Sequence, residues 1–337
     1  MNVVSYFDGM SCGQLALQRE GIKVTNYFAC EIDKYSSQVT MNNFPHTKQL
    51  GDVTKINLET LPKPDLFIGG SPCQGFSFAG KQLNFNDPRS RLFFEFASDL
   101  RYIQEFINPD IKFLLENVKM KKEYQDVISK FLGVQPVEIN SALVSAQNRK
   151  RLYWTNICEI TQPEDRYIYL KDIVLSNTVP VSLSNIYGGF KESGCRTHTD
   201  KSPTLRANSG GGSIPSFVDL NKLILSDKAI QYMNRKVKGG RNHWDFKHHS
   251  DVDNEKAAAV VANLFKGVPY NVLKDFNCIR HYHPIECERL QNIPDNYTEG
   301  VSNSQRLKML GNGWTVDVIA HIFKSLQNNE FSGDYNF

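Results

Sequence analysis

A cysteine directly after a proline, at the end of an apolar run, is the first residue with chemical promise. Leu66–Gly69 reads as a strand, and the chain continues Gly70-Ser71-Pro72-Cys73-Gln74-Gly75. A reduced cysteine is usually an inert core residue. One set just beyond a strand, behind a rigid proline and ahead of a loop, is set as an exposed nucleophile. The loop 74–91 carries Gly75, Gly80, Phe76, Phe78, Phe85, Lys81, Arg89 and Arg91, which suits a lid over bound substrate. Farther on, Lys112-Phe-Leu-Leu-Glu116-Asn117-Val118 places a carboxyl group at the end of an apolar strand. In a dry pocket such a group keeps its proton to higher pH, so Glu116 would donate near neutrality; a surface or capping glutamate is the plainer alternative. In Gln147-Asn148-Arg149-Lys150-Arg151, basic side chains alternate. If the segment is extended, Arg149 and Arg151 point the same way. An ordinary solvated edge has the same composition.

A second set of residues suits a nucleotide. Val3–Phe7 is a β-rich run ending in Asp8-Gly9-Met10-Ser11-Cys12-Gly13, where Gly9 lets the backbone approach a ligand and the helix that follows offers its N-terminus to a carboxylate or phosphate. Val24–Cys30 is a second strand, and Glu31 just beyond it stands where an acidic residue accepts from ribose hydroxyls in nucleotide-binding folds. Asp52, in Gly51-Asp52-Val53, is an adenine contact candidate. Tight-turn glycines and a solvated glutamate would look the same locally. The glycines do not spell G-x-G-x-x-G, which disfavours a pyrophosphate-bearing dinucleotide.

These residues need a scaffold that brings strand ends together. Ile111–Leu115 is a fourth apolar strand, Ala142–Val144 a further candidate, and Leu92, Phe93, Phe96, Leu100, Ile103 and Ile107 fall at helical spacing before Pro109. Strands alternating with helices predict an α/β fold with a parallel, doubly wound sheet. Val316, Ile319, Ala320, Phe323 and Leu326 form a helical apolar stripe, so the chain returns to the large core at its end. Residues 176–255 are rich in Ser, Asn, Gly, Lys and His, and Lys201–Asn208 faintly echoes Lys256–Asn263, as two similar strands of a small β-rich module would. The expected plan is a large domain, 1–157 and 283–337, interrupted by a smaller one, 158–282.

The 337 residues include 40% apolar and 22% charged positions, enough for a full core, which excludes wholesale disorder. The longest apolar candidate, Ala257–Phe265, falls far short of the roughly 18 residues of a membrane span. No secretion signal is read at the N-terminus, and the 7 scattered cysteines point to a reducing, cytoplasmic setting. A net charge of +3 neither demands nor excludes a polyanionic partner. Cys195 with His198, His243, His248 and His249, or Cys278 with His281, His283 and Cys287, lacks the paired short spacings of a zinc site, so no metal is expected.

Taken together, Pro72-Cys73-Gln74, Glu116-Asn117-Val118, Gln147-x-Arg149-x-Arg151, Pro284-Ile-Glu286-Cys-Glu-Arg289-Leu290-Gln291-x-x-Pro294 and Gly311-Asn312-Gly313 resemble, in order and spacing, the motifs of the cytosine-5 DNA methyltransferases. Phe7-Asp8-Gly9 and the Gly313-Trp314 step lean towards the animal de novo branch, while Ser11 and Cys12 stand where the usual bacterial first motif has adjacent glycines. The resemblance implies a class I, Rossmann-like mixed sheet with a second, β-rich target-recognition domain, and S-adenosylmethionine as cofactor. It implies Cys73 as nucleophile, Glu116 as acid, and Arg149 and Arg151 as stabilisers. Phe7, Gly9, Glu31, Ile32, Asp52, Val53, Pro72 and Asn312 would line the cofactor pocket, and Gln74, Asn117, Gln147, Lys81 and Arg89 would meet the substrate. Lys236, Lys238, Arg241, Trp244, Phe246 and Lys247 are candidates for phosphate or base contacts, or a solvated loop. Double-stranded DNA is the expected partner, with no membrane association and no obligate protein partner; a monomer is expected, in a prokaryotic or phage-infected cytoplasm. Rival readings are a tRNA cytosine-5 methyltransferase, a non-catalytic DNA-binding accessory relative, and, more distantly, a nicotinamide oxidoreductase. The insert and the absence of a strong basic excess favour DNA over tRNA, and retention of Cys73 and Glu116 argues against an accessory role.

Overall fold

Strands buried on both faces divide their side chains between two cores. In Asn2–Tyr6 (β1), Val3 packs into one core and Val4 and Tyr6 into the other. The computed structural model describes residues 1–71, 88–173, 175, 182–184, 196–198, 201–203, 216–218, 279–281 and 284–328. Next along the chain come Asn26–Cys30 (β2), Lys48–Gln49 (β3), Leu66–Gly70 (β4), Lys112–Val118 (β5), Val137–Asn140 (β6), Gln147–Asn148 (β7) and Lys150–Thr155 (β8). Seven of these form one sheet in the order β3-β2-β1-β4-β5-β8-β6. β1 to β5 pair parallel, and β8 runs antiparallel to both β5 and β6. The parallel sheet predicted from alternating elements is therefore a mixed one, as the resemblance implied.

Cys12–Arg19 (α1), Lys34–Asn43 (α2), Pro88–Tyr102 (α3) and Lys122–Leu132 (α4) cover the faces. The Asp33 side chain caps α2 by accepting from the backbone N–H groups of Tyr35 and Ser36, at 2.9 and 3.3 Å, an interaction worth about 1 kcal/mol. Phe67 of β4 stacks on Phe96 of α3 with ring centroids 4.4 Å apart, and Tyr6 meets Phe67 edge-on at 4.7 Å. Each such pair adds about 1 kcal/mol beyond simple burial. After Leu170–Ile173 (α5) the chain returns through Pro284–Leu290 (α6), Asn303–Asn312 (α7) and Val316–Asn328 (α8). Val316, Ile319, Ala320 and Phe323 of the predicted stripe are buried in the first core, and Asp317 is clamped by Arg19 of α1 and by Arg166. Among the described residues no helix is long and apolar enough to cross a membrane.

One expectation is corrected here. Ala142–Val144 is not a strand: Ser141–Leu143 forms a 3₁₀ turn, because Asn140 Oδ1 accepts from the Ala142 N–H at 3.1 Å and caps it. The strand lies just upstream, as β6. Ile173 is buried in the first core, and Ile160 and Ile168 pack against it. Farther along, Ser182–Ser184 (β9), Arg196–His198 (β10), Ser202–Pro203 (β11), Ser216–Val218 (β12) and Ile279–His281 (β13) follow. β10, β9, β12 and β13 make a separate antiparallel sheet, whereas β11 pairs parallel with β7.

Candidate active site

Parallel strands bring their carboxyl ends to one edge of the sheet, where open α/β folds bind ligands. Beyond β1 and β2 the edge is built from carboxylates held by short donors. Phe7, Gly9 and Ser11 all have left-handed backbone, with φ of 56°, 61° and 60°. The Gly9 N–H donates to Glu31 Oε2 at 2.8 Å, while Glu31 Oε1 accepts from the N–H groups of Ile32 and Asp33 at 2.8 and 2.7 Å. A carboxylate has about four acceptor positions, so three backbone donors fix its orientation and leave capacity for a hydroxyl. Ile32 beside it is 81% exposed. Asp52 accepts from the Thr54 N–H and Oγ1 at 3.0 and 2.9 Å, and these bonds hold its carboxyl below the usual range. The Val53 side chain packs in the second core, at the start of a 3₁₀ turn that Asp52 caps. A Cβ added to Gly9 would meet nothing within 4 Å. Open space, an exposed apolar side chain and a pre-oriented carboxylate together suit a nucleoside: sugar hydroxyls at Glu31 and a flat base against Ile32.

Asp8 is the residue that sequence reasoning passed over. Its carboxylate accepts from Ser5 Oγ at 2.6 Å, Tyr27 OH at 2.7 Å and Ser11 Oγ. Burial pushes it up to about 6 against these three hydroxyls, with the charge of Glu31 adding to the rise. The available signal was a serine three residues to either side of Asp8.

Beyond β4, β5 and β8 the edge is cationic and tightly paired. Glu116 of β5 lies on the same face as Leu114, and Arg151 is its diagonal neighbour on β8. Arg151 Nε donates to Glu116 Oε1 at 3.0 Å, with side chains only 12% and 11% exposed. The setting of Glu116 is thus an ion pair, not the dry apolar pocket the sequence invited. Asn117, buried, donates to Ser71 Oγ at 3.0 Å and ties β5 to the chain leaving β4. Arg149 and Arg151 have separate partners. Arg149, at the break between β7 and β8, is buried and its guanidinium donates to the carbonyls of Gly311 and Gly313, the latter at 2.9 Å. Burial pulls it down to about 9, with Arg151 acting in the same sense and Glu116 against, so it stays cationic at neutral pH. Gln147, expected to meet substrate, is fully buried and donates to the Leu290 carbonyl and Gln291 Oε1 at 3.0 and 3.1 Å. Gln291 in turn donates to the Leu310 carbonyl at 2.7 Å and accepts from Thr315 at 2.9 Å. These bonds fix the turn that carries Asn312, which is exposed at the end of α7. Trp314 packs so closely over the end of β4 that a Cβ on Gly70 would lie 2.7 Å from its Nε1. Pro72, Cys73, Gln74 and Lys81, and Lys236 to Lys247, lie outside the described residues, as does the side chain of Arg89.

The family description C-5 cytosine-specific DNA methylase matches residues 1–328. The chain belongs to that family. It is 32% identical over 321 residues to the type II methyltransferase M1.ScrFI of Lactococcus lactis subsp. cremoris, covering 90% of this chain and 72% of the relative. With the type II methyltransferase M.HhaI of Haemophilus parahaemolyticus it shares 24% identity over 353 residues, 96% of this chain and 93% of that one. In fold it is similar to the crystal structure of a Spodoptera frugiperda DNMT2 mutant, with a TM-score of 0.58, 20% identity, and 97% and 99% of the two chains covered. The family's activity is methylation of carbon 5 of cytosine in DNA, with S-adenosylmethionine as donor. Cys12, Cys30 and Cys287 of this methylase are buried, and burial pushes their thiols up, Cys12 to about 12, as suits core residues.

Proposed function

We propose that the methylase acts on a cytosine extruded from double-stranded DNA, with Cys73 as nucleophile and the Glu116–Arg151 pair as the group that meets the base. The observation that carries this reading is that nearly buried pair, whose neighbour Asn117 is bonded to Ser71, two residues before Cys73 in the chain. Carbon 5 of cytosine is a weak nucleophile. Addition of the Cys73 thiolate to carbon 6 makes carbon 5 enamine-like, and thiolate is a good choice because it also leaves again. Glu116, paired as a carboxylate with Arg151, takes up a proton from water as the base enters and passes it to ring nitrogen 3, which takes up the electron density that this addition pushes into the ring. Arg151 orients the carboxyl group for that transfer. When bound, S-adenosylmethionine supplies an electrophilic methyl carbon to carbon 5. Loss of the carbon 5 proton to a base, water included, then expels Cys73 and restores the aromatic ring.

Phe7, Gly9, Glu31, Ile32 and Asp52, with Pro72 and Asn312, would hold the cofactor: Glu31 for the ribose hydroxyls, Ile32 and Asp52 for the adenine, and the α1 N-terminus for the carboxylate. Arg149, Asn117 and Gln147 hold the surrounding backbone. Gln74, Lys81 and Arg89 belong to the segment assigned to the lid. The reacting carbon is inaccessible inside a stacked duplex, and extrusion costs a few kcal/mol, which contacts from a target-recognition module must offset. We assign that module to the stretch between Ile173 and residue 282, supported by its separate antiparallel sheet. Bacterial and phage relatives support action in the cytoplasm, and a monomer suffices for the chemistry.

Duplex DNA carrying 5-fluorocytosine tests the reading, because fluorine cannot leave as the proton does. A covalent protein–DNA adduct is expected that requires S-adenosylmethionine and is lost in Cys73→Ala. Bisulfite sequencing of DNA from expressing cells should give the target site. Methylation of tRNA alone, or adduct formation in the Cys73→Ala variant, would overturn it.

A further inference from the structure

The stretch from Val144 to Asn148 leads directly into Arg149 and Arg151, and two separate parts of the chain are bonded to it. Beyond the module, Ser145 Oγ and Gln147 Nε2 both donate to the Leu290 carbonyl at the end of α6, at 2.6 and 3.0 Å, and Asn292 donates to the Val144 carbonyl at 3.0 Å. From the module itself, β11 pairs parallel with β7, and the N–H of the fully buried Ser202 donates to the Ala146 carbonyl. β11 also lies against β9 of the separate antiparallel sheet. Lys201 closes this junction. Its Nζ donates to the carbonyls of Ser145, at 3.1 Å, and of Ile168, and it stands over the Tyr169 ring, 5.0 Å from the centroid. Ile168 in turn packs against the first core. An ammonium group carries three donors on a flexible stem, so one side chain ties the module to the turn before β7 and to the loop on the large core. Arg149 follows β7 at once, and Arg151, the partner of Glu116, lies two residues farther on.

We propose that Lys201 is a positioning residue: it seats the module on the segment that carries Arg149 and Arg151, so that duplex DNA gripped by the module presents its extruded cytosine in register with the Glu116–Arg151 pair. The inference rests on the reading of that module as the part that recognises the target. Contacts to the flanking base pairs favour catalysis at one site only if they fix where the base arrives. A loosened junction leaves those contacts in place and frees their orientation. Rate and site discrimination then fall together, while the cofactor side is untouched.

The test uses the full-length protein and Lys201→Met, which keeps an apolar stem and removes the donors. Active sites are counted from the end point of adduct formation with duplex DNA carrying 5-fluorocytosine. Per active site, adduct formation should slow about tenfold, with the affinity for S-adenosylmethionine by calorimetry within about twofold of the wild type. Methylation of sites one base pair different from the target sequence should rise about fivefold relative to the target. Lys201→Arg, whose guanidinium can also donate to two carbonyls, should recover most of both losses. Tyr169→Leu removes only the ring face and should show the same pattern at about threefold, which decides the matter if Lys201→Met does not fold. Unchanged rate and discrimination in the folded variants, or a slower rate with discrimination intact, would overturn the proposal. Duplex DNA with 5-iodouracil beside the target cytosine supplies the control for the underlying reading, and its photo-cross-links should fall within residues 176–282. Cross-links only elsewhere would sink that reading and the proposal with it; cross-links there, with the variants unchanged, would refute the role of Lys201 alone.

Discussion

Glu31 and Glu116 occupy comparable places, each at the carboxyl end of a parallel strand, yet they are satisfied in opposite ways. Three backbone N–H groups hold Glu31, whereas the guanidinium of Arg151 meets Glu116. Backbone amides orient a carboxylate without cancelling its charge, so Glu31 is a fixed acceptor ready for neutral hydroxyls. A guanidinium cancels the charge and is itself a side chain, so the Glu116 pair can rearrange around an arriving base. One region is built to bind and the other to take part in a proton transfer.

The sharpest way to break this distinction is kinetic. Glu116→Gln should lower kcat by roughly 10²–10⁴ while leaving the KM for S-adenosylmethionine within about twofold. Glu31→Ala should do the reverse, raising that KM about tenfold or more with little change in kcat. Steady-state assays with labelled cofactor on duplex DNA decide it, and a similar kcat loss for both variants would erase the contrast.

A smaller effect concerns Asp8, beneath the binding region. Its carboxyl is raised from 3.8 to about 6 by burial, opposed by Ser11, Ser5 and Tyr27 and reinforced by Glu31. A carboxyl raised in the folded state contributes stability that is complete below its unfolded value, near 4, and is lost as pH rises through about 6. Between pH 4.5 and 7.5 the wild type should therefore lose about 2 kcal/mol relative to Asp8→Asn, measured by urea denaturation. A flat difference would mean the carboxylate is not buried as described.

Packing should also separate the two regions. Gly70→Ala places a methyl group against the Trp314 indole and should cost about 2 kcal/mol, as overpacking does. Gly9→Ala has open space around it and should cost about 1 kcal/mol, from its left-handed backbone alone. Reversal of that order in thermal melts would show that Trp314 yields easily.

Much of the cofactor side was legible because it is local: Phe7 and Gly9 share one turn and Glu31 follows the next strand, although the bonds of Asp8 inside that turn were not foreseen. The base side was less so. That Glu116 ends an apolar strand is visible in the sequence, but its partner lies 35 positions away on a strand that runs backwards. Arg149 and Arg151 looked equivalent, being alternate residues of one segment. Their partners are the carbonyls of Gly311 and Gly313 in one case and Glu116 in the other, because the segment changes neighbours at Arg149, from β11 to β5 and β6.

The sequence by itself determined the alternation of strands and helices, the order of the motifs, and which residue types stand at the strand ends, since these depend on side-chain period and on neighbours a few residues apart. Only the tertiary structure decided that β8 reverses, that Ile173 is buried in the first core, that Gln147 is interior, and which carboxylate meets amides and which a guanidinium. Each of those outcomes is settled by buried donors and acceptors finding partners across long stretches of chain, because an unpaired polar group in the interior is costly wherever in the sequence its partner lies.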